Sequence, residues 1–182
     1  DLLPEATEVA LSNVKTNGLD PSQVTVHNGD ATMLMYQHRD PSKNFDVIDL
    51  DPYGSACPFL DSAVQAVSGD GGLLCVTCTD APVISGNYPE VCYAKYGSMS
   101  LKVKYYHEMA LRILLNSIET AANKYKRHIV PWLSLSVDYY VRVFVRVYES
   151  PAEVKNTCLK RMMTYQSPQC GSFVNQIVGT RN

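Results

Sequence analysis

Asp51-Pro52-Tyr53-Gly54 is the stretch of the 182-residue chain whose residue types and order best suit chemistry on a nucleobase. The exocyclic amine of a base is a poor nucleophile, because its lone pair is delocalised into the ring. Alkylating it requires a group that accepts its N–H hydrogen bonds, or a proton, as the new bond forms. Asp51 offers a carboxylate for that role. Pro52 has no N–H and a fixed φ, so it holds its own carbonyl as a second acceptor. Tyr53 offers an aromatic face for a base swung out of its stack. Gly54, Ser55 and Ala56 leave room for a purine. The competing reading is a plain turn, with Asp51 capping the next helix while Pro-Tyr-Gly bends the chain.

Two more acids extend the pattern. In a doubly wound sheet, ligands lie outside the carboxyl ends of the strands. Asp30 and Asp51 fall at such ends, and so does Asp1 if a strand precedes it. A carboxylate there can accept both hydroxyls of a ribose, and one at the next strand can accept an adenine amino group. Each alone says little, because Asp also serves turns and caps. Their recurrence at successive strand ends says more.

The elements that must position these residues alternate between helix and strand. Residues 4–17 predict a helix, with Pro4 in its permitted first turn, Asn17-Gly18 as the stop, and Val9, Val14, Ala10 and Leu11 facing inward. Val24 to Asn28 predicts a short strand, Ala31 to Gln37 one or two helical turns, and Phe45 to Leu50 a central parallel strand. A helix from about Pro58 to Val67 and a strand through Gly72 to Cys78 follow. Asp80 to Gly97 predicts a long irregular loop, the kind that is usually functional. The longest helix spans about Leu101 to Lys126, with Tyr106, Met109, Ala110, Ile113, Ser117 and Ala121 inward and Glu108 and Arg112 as a surface i, i+4 pair. Ile129–Val137 and Tyr139–Tyr148 predict an antiparallel hairpin. Its second strand turns Val141, Val143, Val145 and Val147 to one side, and Arg142, Phe144, Arg146 and Tyr148 to the other.

Composition bounds the class. With 46% hydrophobic and 19% charged residues, the chain reads as a soluble globular protein. No apolar run approaches the roughly 20 residues that cross a bilayer. The net charge of −2 hides an asymmetry. Residues 1–90 carry thirteen Asp/Glu against three Lys/Arg, while residues 91–182 carry five against thirteen. A basic half can steer a polyanion towards an acidic site. Lys95, Lys102, Lys104, Lys124, Lys126 and Arg127 are the candidate phosphate contacts, and the Lys95-Tyr96-Gly97 segment is the best candidate for a substrate-side element. The six cysteines read as free thiols. Cys75-Val-Thr-Cys78 has zinc-like spacing but lies in a strand, where residues three apart face opposite ways, so no metal site is expected.

At Ile48-Asp-Leu-Asp-Pro-Tyr-Gly-Ser55 the sequence resembles the tRNA (guanine-26-N2)-dimethyltransferase family. The similarity continues through Pro58-Phe-Leu-Asp-Ser-Ala63, Gly72 to Asp80, Lys95-Tyr-Gly97, His107 to Ile113 and Tyr140 to Val147. The resemblance implies a Rossmann-like class I methyltransferase sheet ending in an antiparallel hairpin. It implies S-adenosyl-L-methionine as cofactor, tRNA as substrate, and one or two methyl transfers to N2 of a guanosine. Asp1 matches the family position at the cofactor ribose, and Asp30-Ala31 the position beside the adenine. Asp51 matches the catalytic acidic residue, at the meeting of cofactor and base, with Pro52 and Tyr53 in support. Tyr53, Gly54, Lys95 and Tyr96 are the expected substrate contacts.

The resemblance also implies that residues 1–149 form the methyltransferase domain, without the family's first strand and glycine loop. Residues 150–182 would begin a tRNA-binding domain. The chain starts Asp1-Leu2-Leu3-Pro4, without methionine, and is expected to be an internal fragment. Ser167-Pro-Gln-Cys170 stands where many eukaryotic relatives carry Cys-x-x-Cys. An intracellular setting is expected (nucleus, cytoplasm or mitochondrion), with no membrane and no obligate protein partner. The alternative is a tRNA-binding paralogue that has lost turnover, against which the intact Asp1, Asp51 and Pro52 argue. An adenine or cytosine amino-methyltransferase would more often carry a doubled proline before the aromatic residue, and Gly54 does not fit that form.

Overall fold

The structure, a computed structural model, describes residues 1–20 and 22–180. Helix α1 (Pro4–Thr16) starts with Pro4 in its first turn, where a missing N–H costs nothing. Helix α2 (Ala31–Gln37) is capped by the Asp30 side chain. Strand β1 (Val47–Leu50), helix α3 (Cys57–Ala66) and strand β2 (Asp70–Cys78) form a parallel unit, with Val47 opposite Leu73 and Leu50 opposite Val76. Helices α4 (Ala81–Ile84), α5 (Pro89–Tyr96) and α6 (Tyr106–Asn123) lead into the hairpin of β3 (Arg127–Val137) and β4 (Tyr140–Glu149). β4 inserts antiparallel between β2 and β3, giving the order β1-β2-β4-β3. The short helices α7 (Pro151–Val154) and α8 (Thr157–Lys160) then reach a separate two-stranded sheet of β5 (Met162–Gln166) and β6 (Phe173–Ile177).

Alternation in β4 sorts the two faces of the main sheet. Val143, Val145 and Val147 are fully buried, and Val141 nearly so, against Leu60, Val64, Leu114 and Ile118 of α3 and α6. On the opposite face Arg142 lies over the Phe144 ring and Arg146 over Trp132. Cys75 pairs with Phe144 and Cys78 with Val141, so the two cysteines point to opposite faces. Burial pushes both thiols up in pKa. β3 is an edge strand, which tolerates Pro131, and the ladder shifts register between Pro131 and Leu133.

Several expectations need correction. Val24–Asn28 forms no strand among the described residues: the His27 carbonyl and the Gly29 N–H bond the Asp1 backbone, but a strand requires a ladder of such pairs. The predicted loop at 80–97 contains α4 and α5. Pro82 and Pro89 each sit in a first helical turn, and Gly97 ends α5 in the left-handed conformation. The long helix begins at Tyr106, not Leu101. Gly86, at φ +97°, lies so close to the Leu101–Lys102 backbone that a Cβ would sit 2.3 Å from it, and residues 101–103 lie outside the helix. In α1, Val9 and Leu11 are exposed, and Thr7 is the buried residue.

Candidate active site

The Asp51 loop links the end of β1 to α3. Gly54 takes φ +76°, a conformation that favours glycine, although a Cβ there would meet nothing within 4 Å. Thr79, just beyond β2, holds it at both backbone atoms. The Gly54 N–H donates to Thr79 Oγ1 at 2.7 Å, and the Thr79 N–H donates to the Gly54 carbonyl at 2.9 Å. Helix α3 takes its N-cap from Ala56 without any side-chain cap, so Asp51 is not a capping residue. Among the described residues, the Asp51 carboxylate has no hydrogen-bond partner, and Tyr53 stands fully exposed beside it. Ala56 is fully buried and forms core, contrary to the expectation that it helps leave room for a base.

Asp51 borders a cavity of about 440 Å³ with Thr77, Thr79, Tyr140 and Arg142. Arg142 donates to Asp49 at 2.7 Å and to the Thr77 hydroxyl. The bond to Asp49 holds the guanidinium pKa above its ordinary value, with a further contribution from the Asp51 charge. The cavity is therefore a strand-end site with a free carboxylate, three hydroxyls and a fixed cation.

The other predicted residues are distributed as follows. The Asp1 backbone pairs with that of His27 and Gly29, which brings Asp1 beside the turn carrying Asp30. Oδ1 of Asp1 accepts from the Leu3 N–H, and Oδ1 of Asp30 from the Thr32 N–H. Asp30 thus caps α2, Asp1 closes the turn into Leu3, and among the described residues each leaves its second carboxylate oxygen unclaimed. Ala31 is exposed at the start of α2. Neither Asp1 nor Asp30 shares a hydrogen bond with the Asp51 loop. Lys95 is ion-paired to Asp80 at 2.9 Å. Tyr96, expected as a substrate contact, is buried. Its ring is 3% exposed, and its hydroxyl lies 3.1 Å from Cys78 Sγ and donates to Asp80 at 3.3 Å. Burial, then the Cys78 contact, pushes its pKa up. Arg127 is buried too, so it is no phosphate contact.

The sequence model of the family described as N2,N2-dimethylguanosine tRNA methyltransferase matches residues 1–181. The chain belongs to this family. It is 54% identical to the tRNA (guanine(26)-N(2))-dimethyltransferase of Mus musculus, over 98% of this chain and 27% of that protein. It is 56% identical to the dimethyltransferase 1 of Arabidopsis thaliana, over 97% of this chain and 29% of the relative. The chain thus spans less than a third of the length of these relatives. The fold resembles that of a solved complex of Trm1 from Pyrococcus horikoshii with S-adenosyl-L-methionine. The TM-score is 0.77 at 33% identity, covering 86% of this chain and 42% of that one. The four-stranded unit is accordingly part of a Rossmann-like methyltransferase sheet.

For this member of the family, sequence reasoning missed Thr77, Thr79, Tyr140 and Arg142 as cavity residues. The signal lay in hairpin register. Once β4 pairs with β2, Thr77 falls opposite Arg142 and Cys78 opposite Val141, which brings the start of β4 to the end of β2.

Proposed function

We propose that the chain carries the base-holding part of a tRNA guanine-N2 methyltransferase that uses S-adenosyl-L-methionine. The observation that carries this reading is the unpartnered Asp51 carboxylate at a strand end, beside a fully exposed Tyr53 in a clamped loop. Asp51 and the Pro52 carbonyl accept the two N–H groups of the guanine amine, which aims its lone pair away from them. Tyr53 stacks against the extruded base, with Gly54 giving the loop its turn. As N2 becomes cationic on gaining a methyl group, Asp51 stabilises that charge and takes up the proton that leaves. One N–H survives the first transfer, so one of the two acceptors still holds the amine for a second.

The residues present fit the cofactor. Asp1 and Asp30 each keep one carboxylate oxygen free among the described residues, and the Asp1 backbone is bonded to Gly29, next to Asp30. Asp1 would hold the ribose hydroxyls, Asp30 and Ala31 would flank the adenine, and Asp51 would border the reacting end. S-adenosyl-L-methionine, when bound, supplies an electrophilic methyl group. Residues 1–149 are assigned to the methyltransferase domain. Residues 150–182, of which the last two lie outside the described residues, are assigned to the start of a tRNA-binding domain. Among the described residues no helix is long and apolar enough to cross a membrane. We assign the protein to the nucleus, cytoplasm or mitochondrion, where its tRNA would be met.

The test is nucleoside analysis of tRNA treated with the full-length protein and S-adenosyl-L-methionine. Asp51→Ala is expected to lower N2-methylguanosine formation by at least about 100-fold, the low end of general-base contributions. Wild-type rates from that variant would sink the assignment of Asp51.

A further inference from the structure

A second cavity of about 560 Å³ lies next to the Asp51 cavity and shares Thr79 and Tyr140 with it. Asp51 does not border it, so the base that reacts is not its occupant. It opens between the β3–β4 turn, α4 and the start of α6. Its volume lies within the range of small-ligand sites, about 300–1,000 Å³. Its walls are the chemistry of a nucleotide site. Lys102 is exposed and has no carboxylate partner among the described residues. Tyr106 and Tyr139 are 39% and 86% exposed. His107 is packed against Tyr106, ring centroids 3.9 Å apart, and its Nδ1 is held 2.9 Å from the Ser136 hydroxyl. Among the described residues Asp138 is the one carboxylate in the lining, and it can accept from an exocyclic amine or ring N–H.

The position of the wall is built in. The close approach of Gly86 to the Leu101–Lys102 backbone fixes where Lys102 emerges, and the His107–Ser136 bond ties the start of α6 to β3. A cation for phosphate, aromatic faces for stacking and a carboxylate for a base edge make up the recognition set for single-stranded RNA.

We propose that this cavity receives a nucleotide flanking the modified guanosine, held by Lys102 at its phosphate and by Tyr106 at its base. The inference rests on the tRNA methyltransferase reading and adds a subsite to it. Extruding one base from a helical segment unstacks its neighbours, and a pocket that captures one of them offsets that cost.

The test is a cycle between protein and RNA variants. Full-length protein carrying Tyr106→Ala or Lys102→Ala is assayed on intact tRNA and on tRNA with an abasic residue immediately 5′ or 3′ of the target. The expected result with wild-type protein is a rise in KM for tRNA of about five- to tenfold at one of the two abasic positions, the low end of base–aromatic stacking. Tyr106→Ala should show the same rise on intact tRNA and no further rise on that abasic tRNA, with KM for S-adenosyl-L-methionine within about twofold of wild type. Additive losses, or no loss at either abasic position, would overturn the proposal. Both variants alter exposed side chains, and an unchanged Tm checks their folding. If the wild-type protein does not methylate guanine N2, the function proposed above fails. The same cycle read as tRNA Kd still decides the subsite.

Discussion

At the residue scale, reactivity depends on how firmly the Asp51 loop is held, because a carboxylate displaced by an ångström no longer meets the amine. Thr79 supplies that hold through one side-chain and one backbone bond to Gly54. Thr79→Val keeps the shape and the backbone bond but removes the acceptor for the Gly54 N–H. Turnover should fall by about tenfold, the equivalent of one net hydrogen bond of about 1–1.5 kcal/mol, with little change in KM for S-adenosyl-L-methionine. Thr79→Ser restores the acceptor and should restore kcat, which a purely volumetric role would not predict. Single-turnover methylation assays separate these cases. The Asp51 loop itself was legible from residue type, since proline and glycine announce their own backbone demands. Thr79 was not, because a threonine after a strand carries no local signal and its partner lies 25 positions away.

At the element scale, two charged side chains tie helices to the sheet. Arg127 is buried at the start of β3 and donates to the carbonyls of Val64, Gln65 and Val67, which satisfies the C-terminal end of α3. Burial lowers its pKa, yet it stays charged well above neutral pH. Arg127→Met should destabilise the fold by about 2–4 kcal/mol, read as a lower urea midpoint at constant m, because buried carbonyls lose their donor. Asp61 of α3 gathers Tyr36 of α2 together with Lys124 and Tyr125 beyond α6. Burial pushes its pKa up, but the bonds from Tyr125, Tyr36 and Lys124 outweigh that and hold it below its ordinary value. A carboxyl depressed on folding contributes stability above its unfolded pKa, about 3.9, and loses it as the pH falls through the folded value. Asp61→Asn should therefore lower stability at pH 7 and flatten its decline in acid, measured by thermal melts from pH 7 to pH 2.5. The valine alternation of β4 made the hairpin readable before any coordinates. The prolines at 82 and 89 misled, because a loop signal and a first-turn helix signal use the same residue. Val24–Asn28 misled for the opposite reason: a strand is a property of a pair, and the pattern of one segment does not name its partner.

At the scale of the whole molecule, the charge asymmetry of the sequence takes a more selective form in the fold. Several of the basic residues are already engaged: Lys95 with Asp80, Lys124 with Asp61, Arg112 with Glu108 and Arg142 with Asp49, while Arg127 is buried. Of the six predicted phosphate contacts, only Lys102, Lys104 and Lys126 are exposed without a carboxylate partner among the described residues. Lys102 borders the cavity next to Asp51, and Lys104 follows two residues later, so phosphate attraction is concentrated beside the proposed reaction site. Counterion release makes such binding fall linearly in log K against log salt, by about 0.7–0.9 per phosphate neutralised. Replacing Lys102 and Lys104 by alanine should reduce that slope by about 1.5 for full-length protein and tRNA, whereas replacing Lys95 or Lys124 should leave it nearly unchanged. Filter binding between 50 and 300 mM salt reads both slopes. Equal losses from all four lysines would mean that the ion pairs open on binding and that total charge, rather than its placement in the fold, governs attraction.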